Sequence, residues 1–104
     1  LSGIGSLDGA RLRLAGAETA LTLECELEIL TLAGSLSRHG VHLHASVSDP
    51  EGRVFGGHVL PGCRVRTTAE LLLAELHDQQ LTRHLDARTG YRELAVRPRR
   101  GGPR

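Results

Sequence analysis

Residues 40–62 read GVHLHASVSDPEGRVFGGHVLPG. Val41, Leu43, Ala45 and Val47 alternate with His42, His44, Ser46 and Ser48, the period of a strand with one dry and one wet face. The alternation stops at Asp49-Pro50-Glu51-Gly52. Proline presets the first turn dihedral and glycine takes the position where φ must be positive, so the spacing predicts a hairpin whose loop is Pro50-Glu51-Gly52. Asp49 then faces Arg53 and the register follows. His44 falls directly across from His58, with His42 on the same face two residues along, roughly 7 Å away. Gly56 and Gly57 keep bulk away beside His58. The other face pairs Leu43 with Val59, Ala45 with Gly57 and Val47 with Phe55, a continuous apolar surface.

Three neutral imidazoles with an open fourth position hold zinc in many hydrolytic and lyase sites, because the metal polarises carbonyls and acidifies water. By pattern alone, His42, His44 and His58 read equally well as ordinary strand histidines. Glu70 is a candidate acid/base group, and Arg64 and Arg66 are candidate anion clamps, with solvent-facing charges as the alternative. Cys63 as a fourth ligand would close the site. His39, His77 and His84 lie in loop-like stretches and read as solvated surface.

Outward from the hairpin, Leu21, Leu23, Cys25, Leu27 and Ile29 keep period two across Glu24, Glu26 and Glu28, a long half-buried strand. Parity changes after Ile29, which calls for a bulge there or burial on both faces. Residues 1–9, with three glycines, read as loop or strand end, followed by a strand over 10–14. In the segment after Cys63, Thr67 and Glu70 have capping-box spacing before an apolar run, so helix and buried strand compete. Residues 77–90 read as loop with a helical turn, and Tyr91 to Val96 as a last strand. Residues 97–104 contain only Arg, Pro and Gly and read as a mobile arm.

With 104 residues the chain supports one core, and that core must be aliphatic because aromatics make up only 2%. A formal charge of +1 excludes sequence-wide steering toward nucleic acid or anionic lipid. All 13 basic residues are arginine, a composition that fits GC-rich coding better than phosphate recognition. No apolar run approaches the ~20 residues of a membrane span. Neither a basic-then-apolar leader nor a dense cysteine framework is visible, so Cys25 and Cys63 are expected reduced in an intracellular protein, cytoplasmic or nuclear.

The segments LSGIGSL, CELEIL, LAGSLS and GVHLHASVSDPEGRVFGGHVLPGCRVRTTAELLL together resemble the plants-and-prokaryotes-conserved (PPC) domain. The specific piece is G-x-H-x-H…D-x-x-G-x-x-x-G-G-H-x-x-x-G, filled by Gly40, His42, His44, Asp49, Gly52, Gly56, Gly57, His58 and Gly62. The resemblance implies an α+β fold, mainly antiparallel β-sheet flanked by few helices, over residues 1–96, assembled as a homotrimer. The strand and helix that precede SGIG in the family are expected to be missing. It also implies a strand over Leu71 to Leu76. A related fold group includes acetolactate decarboxylase and a three-histidine zinc esterase, whose ligands resemble His42, His44 and His58; zinc is therefore the expected cofactor, with a small-molecule substrate.

Plant members join this domain to AT-hook DNA-binding segments and use a Gly-Arg-Phe-Glu-Ile-Leu hexapeptide for partners. Here that segment is Cys25 to Leu30, matching only at Glu28, Ile29 and Leu30, the candidate partner-binding residues. The Arg-Gly-Arg-Pro hook core is absent, so nucleic-acid binding is expected only as weak, salt-sensitive phosphate contact by the arm. Two functions follow: a three-histidine zinc protein of lyase or hydrolase type, or a non-catalytic trimeric interaction module of the transcription or chromatin kind.

Overall fold

A computed structural model of the chain describes residues 1–100. Seven strands follow in order: β1 (Ser2–Arg13), β2 (Ala20–Ser37), β3 (Gly40–Ser48), β4 (Val54–Val59), β5 (Val65–Leu72), β6 (Gln79–Leu85) and β7 (Arg92–Pro98). There is no helix among the described residues. The antiparallel part of the expected fold holds and the flanking helices do not: the architecture is all-β. The helical alternative at Thr67 loses to pairing. Thr67 donates its amide to the Ser6 hydroxyl, and Leu71 and Leu72 pair with Gly3 and Ser2 of β1. Leu73 to Leu76, expected to continue as strand, have no regular structure.

By internal contacts the chain divides into two compact units, one formed by Leu1–Ser35 with His42–Leu73, the other by Leu36–Val41 with the residues from Ala74 onward. In the first, strand order is β2-β3-β4-β1-β5, and β1 pairs with β2 as well, so β1 to β4 close on themselves. The interior holds Leu7, Ala10 and Leu12 of β1, Leu27 and Ile29 of β2 and Val47 of β3, with Cys25, Phe55, Val59 and Cys63 packed around them. Val47 is 0% exposed and Leu12 1%, so the apolar face read from the hairpin is the core face.

The opening glycines do not end a strand. β1 runs through them because its ladder with β2 shifts register twice, between Gly3 and Gly5 and between Asp8 and Ala10. Gly9, at φ +105°, takes a conformation costly for any other residue. The first shift answers the parity change in β2: Gly5 pairs with Ile29 but Gly3 with Leu32, so β2 carries an extra residue just after Ile29. Leu27 and Ile29 are buried before it, Leu30 and Thr31 are exposed, and Leu32 turns back toward the core.

The second unit contains a hairpin that the sequence conceals. Residues 79–85, expected as loop, form β6 and pair with β7 from Gln79 opposite Pro98 to Leu85 opposite Arg92. Its apolar content is only Leu81 and Leu85, too sparse to announce a strand. β7 reaches Pro98, and the Arg99 amide donates to the Asp78 carbonyl, so the first residues of the expected arm are paired backbone. The arm's residues 101–104 lie outside the described residues.

Candidate metal centre

The predicted turn forms as read. The Asp49 amide donates to the Arg53 carbonyl at 2.9 Å, the Gly52 amide to the Asp49 carbonyl at 3.0 Å, and Gly52 sits at φ +80°. The Asp49 carboxylate is buried and accepts from the Glu51 and Arg53 amides and from the Arg53 guanidinium, at 2.7 to 2.9 Å. Burial by itself would raise its pKa; the Arg53 and Glu51 hydrogen bonds overcome this and hold it below the usual carboxylate value.

This turn sets the β3–β4 ladder: Ser48 pairs with Val54, Val47 with Phe55, Ser46 with Gly56, Ala45 with Gly57 and His44 with His58. His42, His44 and His58 consequently share one face. Their ring centroids are 5.0 Å apart for His42 and His44, 5.2 Å for His42 and His58, and 5.7 Å for His44 and His58. One ring nitrogen of each lies within 4.8 Å of one of each of the others. Imidazoles on a single tetrahedral zinc, with bonds of 2.0–2.1 Å, have nitrogens about 3.4 Å apart, so a modest χ adjustment brings this set to bonding distance.

His58 Nδ1 is buried and has no hydrogen-bond partner. A buried polar atom left unmatched costs roughly 1–3 kcal/mol. Burial lowers the His58 pKa, and the positive charges of Arg13, His42 and His44 lower it further. The ring therefore stays neutral, as a ligand must be, below the pH at which a free histidine protonates. The donor set, three imidazoles with one ring nitrogen each within 4.8 Å of the others, fits a borderline metal such as zinc.

Glycine shapes the surroundings. A Cβ at Gly57 would stand 2.6 Å from the Arg13 carbonyl oxygen, so only a bare Cα lets β1 close on β4 here. That closure makes Arg13 the direct cross-strand partner of His58, while Leu12, paired with Val59, points into the core. Neighbours across an antiparallel ladder project to the same face, so Arg13 joins the histidine face. Further along β3, the Ser46 hydroxyl meets the Thr31 hydroxyl of β2 at 2.6 Å.

The other candidates lie elsewhere. Glu70 sits on β5 opposite Ile4 and lines an open groove of about 510 Å³ with Ser2, Gly3, Leu30, Leu71 and Leu72, without any histidine. Arg64 donates to the Asp8 carbonyl and Arg66 pairs with Glu26 at 3.1 Å. Cys63 is free of any disulfide, as is Cys25, and its sulfur engages the backbone of Arg11 and Leu60. Of the hexapeptide residues, Glu28 and Leu30 are exposed, whereas Ile29 is in the core and turns away from partners. His39 and His84, read as solvated surface, are exposed and meet edge to face at 6.1 Å, with His39 Nδ1 accepting the Arg83 amide. Arg13 is the residue the sequence reading missed, since no local signal announces the contact between β1 and β4.

The family model for the Plants and Prokaryotes Conserved (PCC) domain, the PPC domain named above, matches residues 1–77. The chain belongs to this family. The matched span of the PCC domain contains all three histidines and Arg13. The domain is 48% identical over 103 residues to part of the bifunctional protein GlmU of Synechococcus sp. (strain JA-2-3B'a(2-13)), covering 99% of this chain but 16% of that protein. Among solved structures it resembles a hypothetical protein from Salmonella enterica, with TM-score 0.86 and 43% identity over 94% of this chain and 74% of that one. It also resembles a plant- and prokaryote-conserved protein from Pyrococcus horikoshii, with TM-score 0.66 and 29% identity, covering 88% and 67% of the two chains.

Proposed function

We propose that this PCC domain is a zinc-binding module in which His42, His44 and His58 hold the ion and leave one coordination position open. The observation that carries this reading is the convergence of one ring nitrogen from each of the three imidazoles within 4.8 Å. A metal held by three neutral ligands supplies a Lewis acid for a carbonyl or a water. The chain's own part is to resist protonation of His58, fix the imidazoles on two strands of one hairpin, and leave the face beside Gly56 bare. Lyase or hydrolase action on a small molecule is the chemistry this arrangement serves. Glu70, in its groove, is not placed to act as its acid/base group.

Assembly as a homotrimer belongs to the same proposal. Ile4, Leu30, Leu71 and Leu72 are exposed around the β1–β5 groove, Leu72 at 72%, an apolar surface that association would bury. That surface also supports a second reading, a non-catalytic trimeric interaction module. Weak phosphate contact by the terminal arginines would accompany either reading.

Zinc calorimetry on metal-stripped protein tests the proposal. One ion per chain is expected for the native protein, with affinity reduced more than about 100-fold in His58→Ala, beyond the 10–100-fold cost of losing an outer-shell partner. Equal affinity in the two proteins removes the metal reading and leaves the interaction module.

A further inference from the structure

We infer that the free edge of β7 is a docking site for an extended acidic peptide, which joins the β6–β7 sheet as a third strand. The inference is independent of the metal reading.

Charge is unevenly placed along the chain. Residues 79–100 hold six arginines against two carboxylates, Asp86 and Glu93, whereas residues 1–78 hold six against ten. Both of those carboxylates are engaged locally, Asp86 with the Arg88 guanidinium at 3.5 Å and Glu93 with the Thr89 hydroxyl at 3.1 Å. Arg92, Arg97, Arg99 and Arg100 are exposed, and none of them pairs with a carboxylate among the described residues. Four guanidiniums thus stand within nine residues of chain, and an acidic partner complements them.

The backbone says what form that partner takes. β6 has a further neighbour, since its Arg83 amide donates to His39 Nδ1 at 2.9 Å, but β7 pairs with β6 alone among the described residues. Every second residue of an edge strand turns its N–H and C=O outward, so β7 offers a pairing row that ends at Pro98. Arginines along such an edge repel a like-charged strand, β7 of another copy included, and attract an acidic one. Between Arg92 and Arg97 lie Leu94 and Val96, both exposed, on the face they share with Leu81 and Leu85. The opposite face holds Thr82, buried at 6%, so the aliphatic face is the open one. An added strand with an apolar centre and acidic ends would lie along Leu94 and Val96 with its carboxylates near the flanking arginines. Exposed leucines give nothing to a phosphate contact, and lipid headgroups do not complete a strand ladder; a peptide uses both features.

The test is an NMR titration of the full chain with the acetylated, amidated peptide Glu-Glu-Val-Thr-Val-Glu-Glu, whose symmetry suits either strand direction, following the amides of β7 and, as a control, those of β3. Saturable shifts confined to β7 are expected. Two further peptides separate charge from strand pairing: one with glutamine in place of every glutamate, and one methylated on the amide nitrogens of its three central residues. Each should bind at least tenfold more weakly, as should the original peptide to an Arg97→Gln/Arg99→Gln variant. The methylated peptide leaves the protein unaltered, so its result stands whatever the variant does to folding. Absence of β7 shifts, or equal affinity for the acidic peptide and either of its counterparts, overturns the inference. A β7 that ignores the peptide and responds instead to phosphatidylserine vesicles or to a DNA duplex overturns it too, and assigns the edge to lipid or to nucleic acid.

Discussion

His44 of β3 and His58 of β4 are directly opposed in one antiparallel ladder, with ring centroids 5.7 Å apart, and the turn at Asp49 to Arg53 fixes that opposition. A shift of one residue in the ladder would send His58 to the core face and Val59 to the solvent face. The same hydrogen bonds that close the turn thus assemble the candidate centre.

Gly57→Ala tests the coupling between this centre and β1. The added methyl would stand 2.6 Å from the Arg13 carbonyl, and the obstacle is backbone rather than a flexible side-chain end. The substitution is expected to push β1 from β4 and destabilise the fold by about 1–3 kcal/mol. Urea denaturation measures the loss; a neutral result would mean that β1 and β4 do not approach this closely.

The pH dependence of the metal-free protein has a defined sign. Burial, then the charges of Arg13, His42 and His44, hold the His58 pKa below its ordinary 6.5, so the unfolded chain takes a proton that the folded one resists. His58's contribution to stability is complete above about pH 6.5 and is lost as pH falls through its depressed folded value. Asp49, whose pKa is lowered from 3.8, loses its contribution only in more acid solution, so the two windows separate. Between about pH 7.5 and 5.5 the urea midpoint should fall less in His58→Gln than in the native protein. Parallel curves would contradict the assignment.

How much of this was legible from sequence depends on how local the determinant is. The turn chemistry of Pro50, Glu51 and Gly52 lies within the turn itself, and it delivered the histidine register. The bulge after Ile29 was legible as a change of parity. Residues 1–9 misled, because glycines that look like punctuation serve as bulge positions inside a 12-residue strand. β6 was invisible because Gln79-Gln80-Leu81-Thr82-Arg83-His84-Leu85 has almost no apolar period and forms by pairing with β7. Arg13 was out of reach for a related reason: β1 and β4 share only two residue pairs, across more than 40 residues of chain.

Self-association is checked by light scattering. The proposed trimer has three times the 11.2 kDa mass of one chain. Leu71→Asp places a charge on the exposed apolar surface, where 54% of the residue is already open, so it should dissociate the assembly without unfolding the chain. A monomeric native protein would remove the trimer, and a variant that stays trimeric would move the interface away from this groove.

The most direct measurement of the central claim is a crystal structure of the zinc-soaked protein with anomalous data collected on both sides of the zinc edge. The account predicts one strong anomalous peak per chain, roughly 2.0–2.1 Å from a ring nitrogen of each of His42, His44 and His58. An anomalous map without a peak among these three rings, or with zinc held only by other residues, would contradict it.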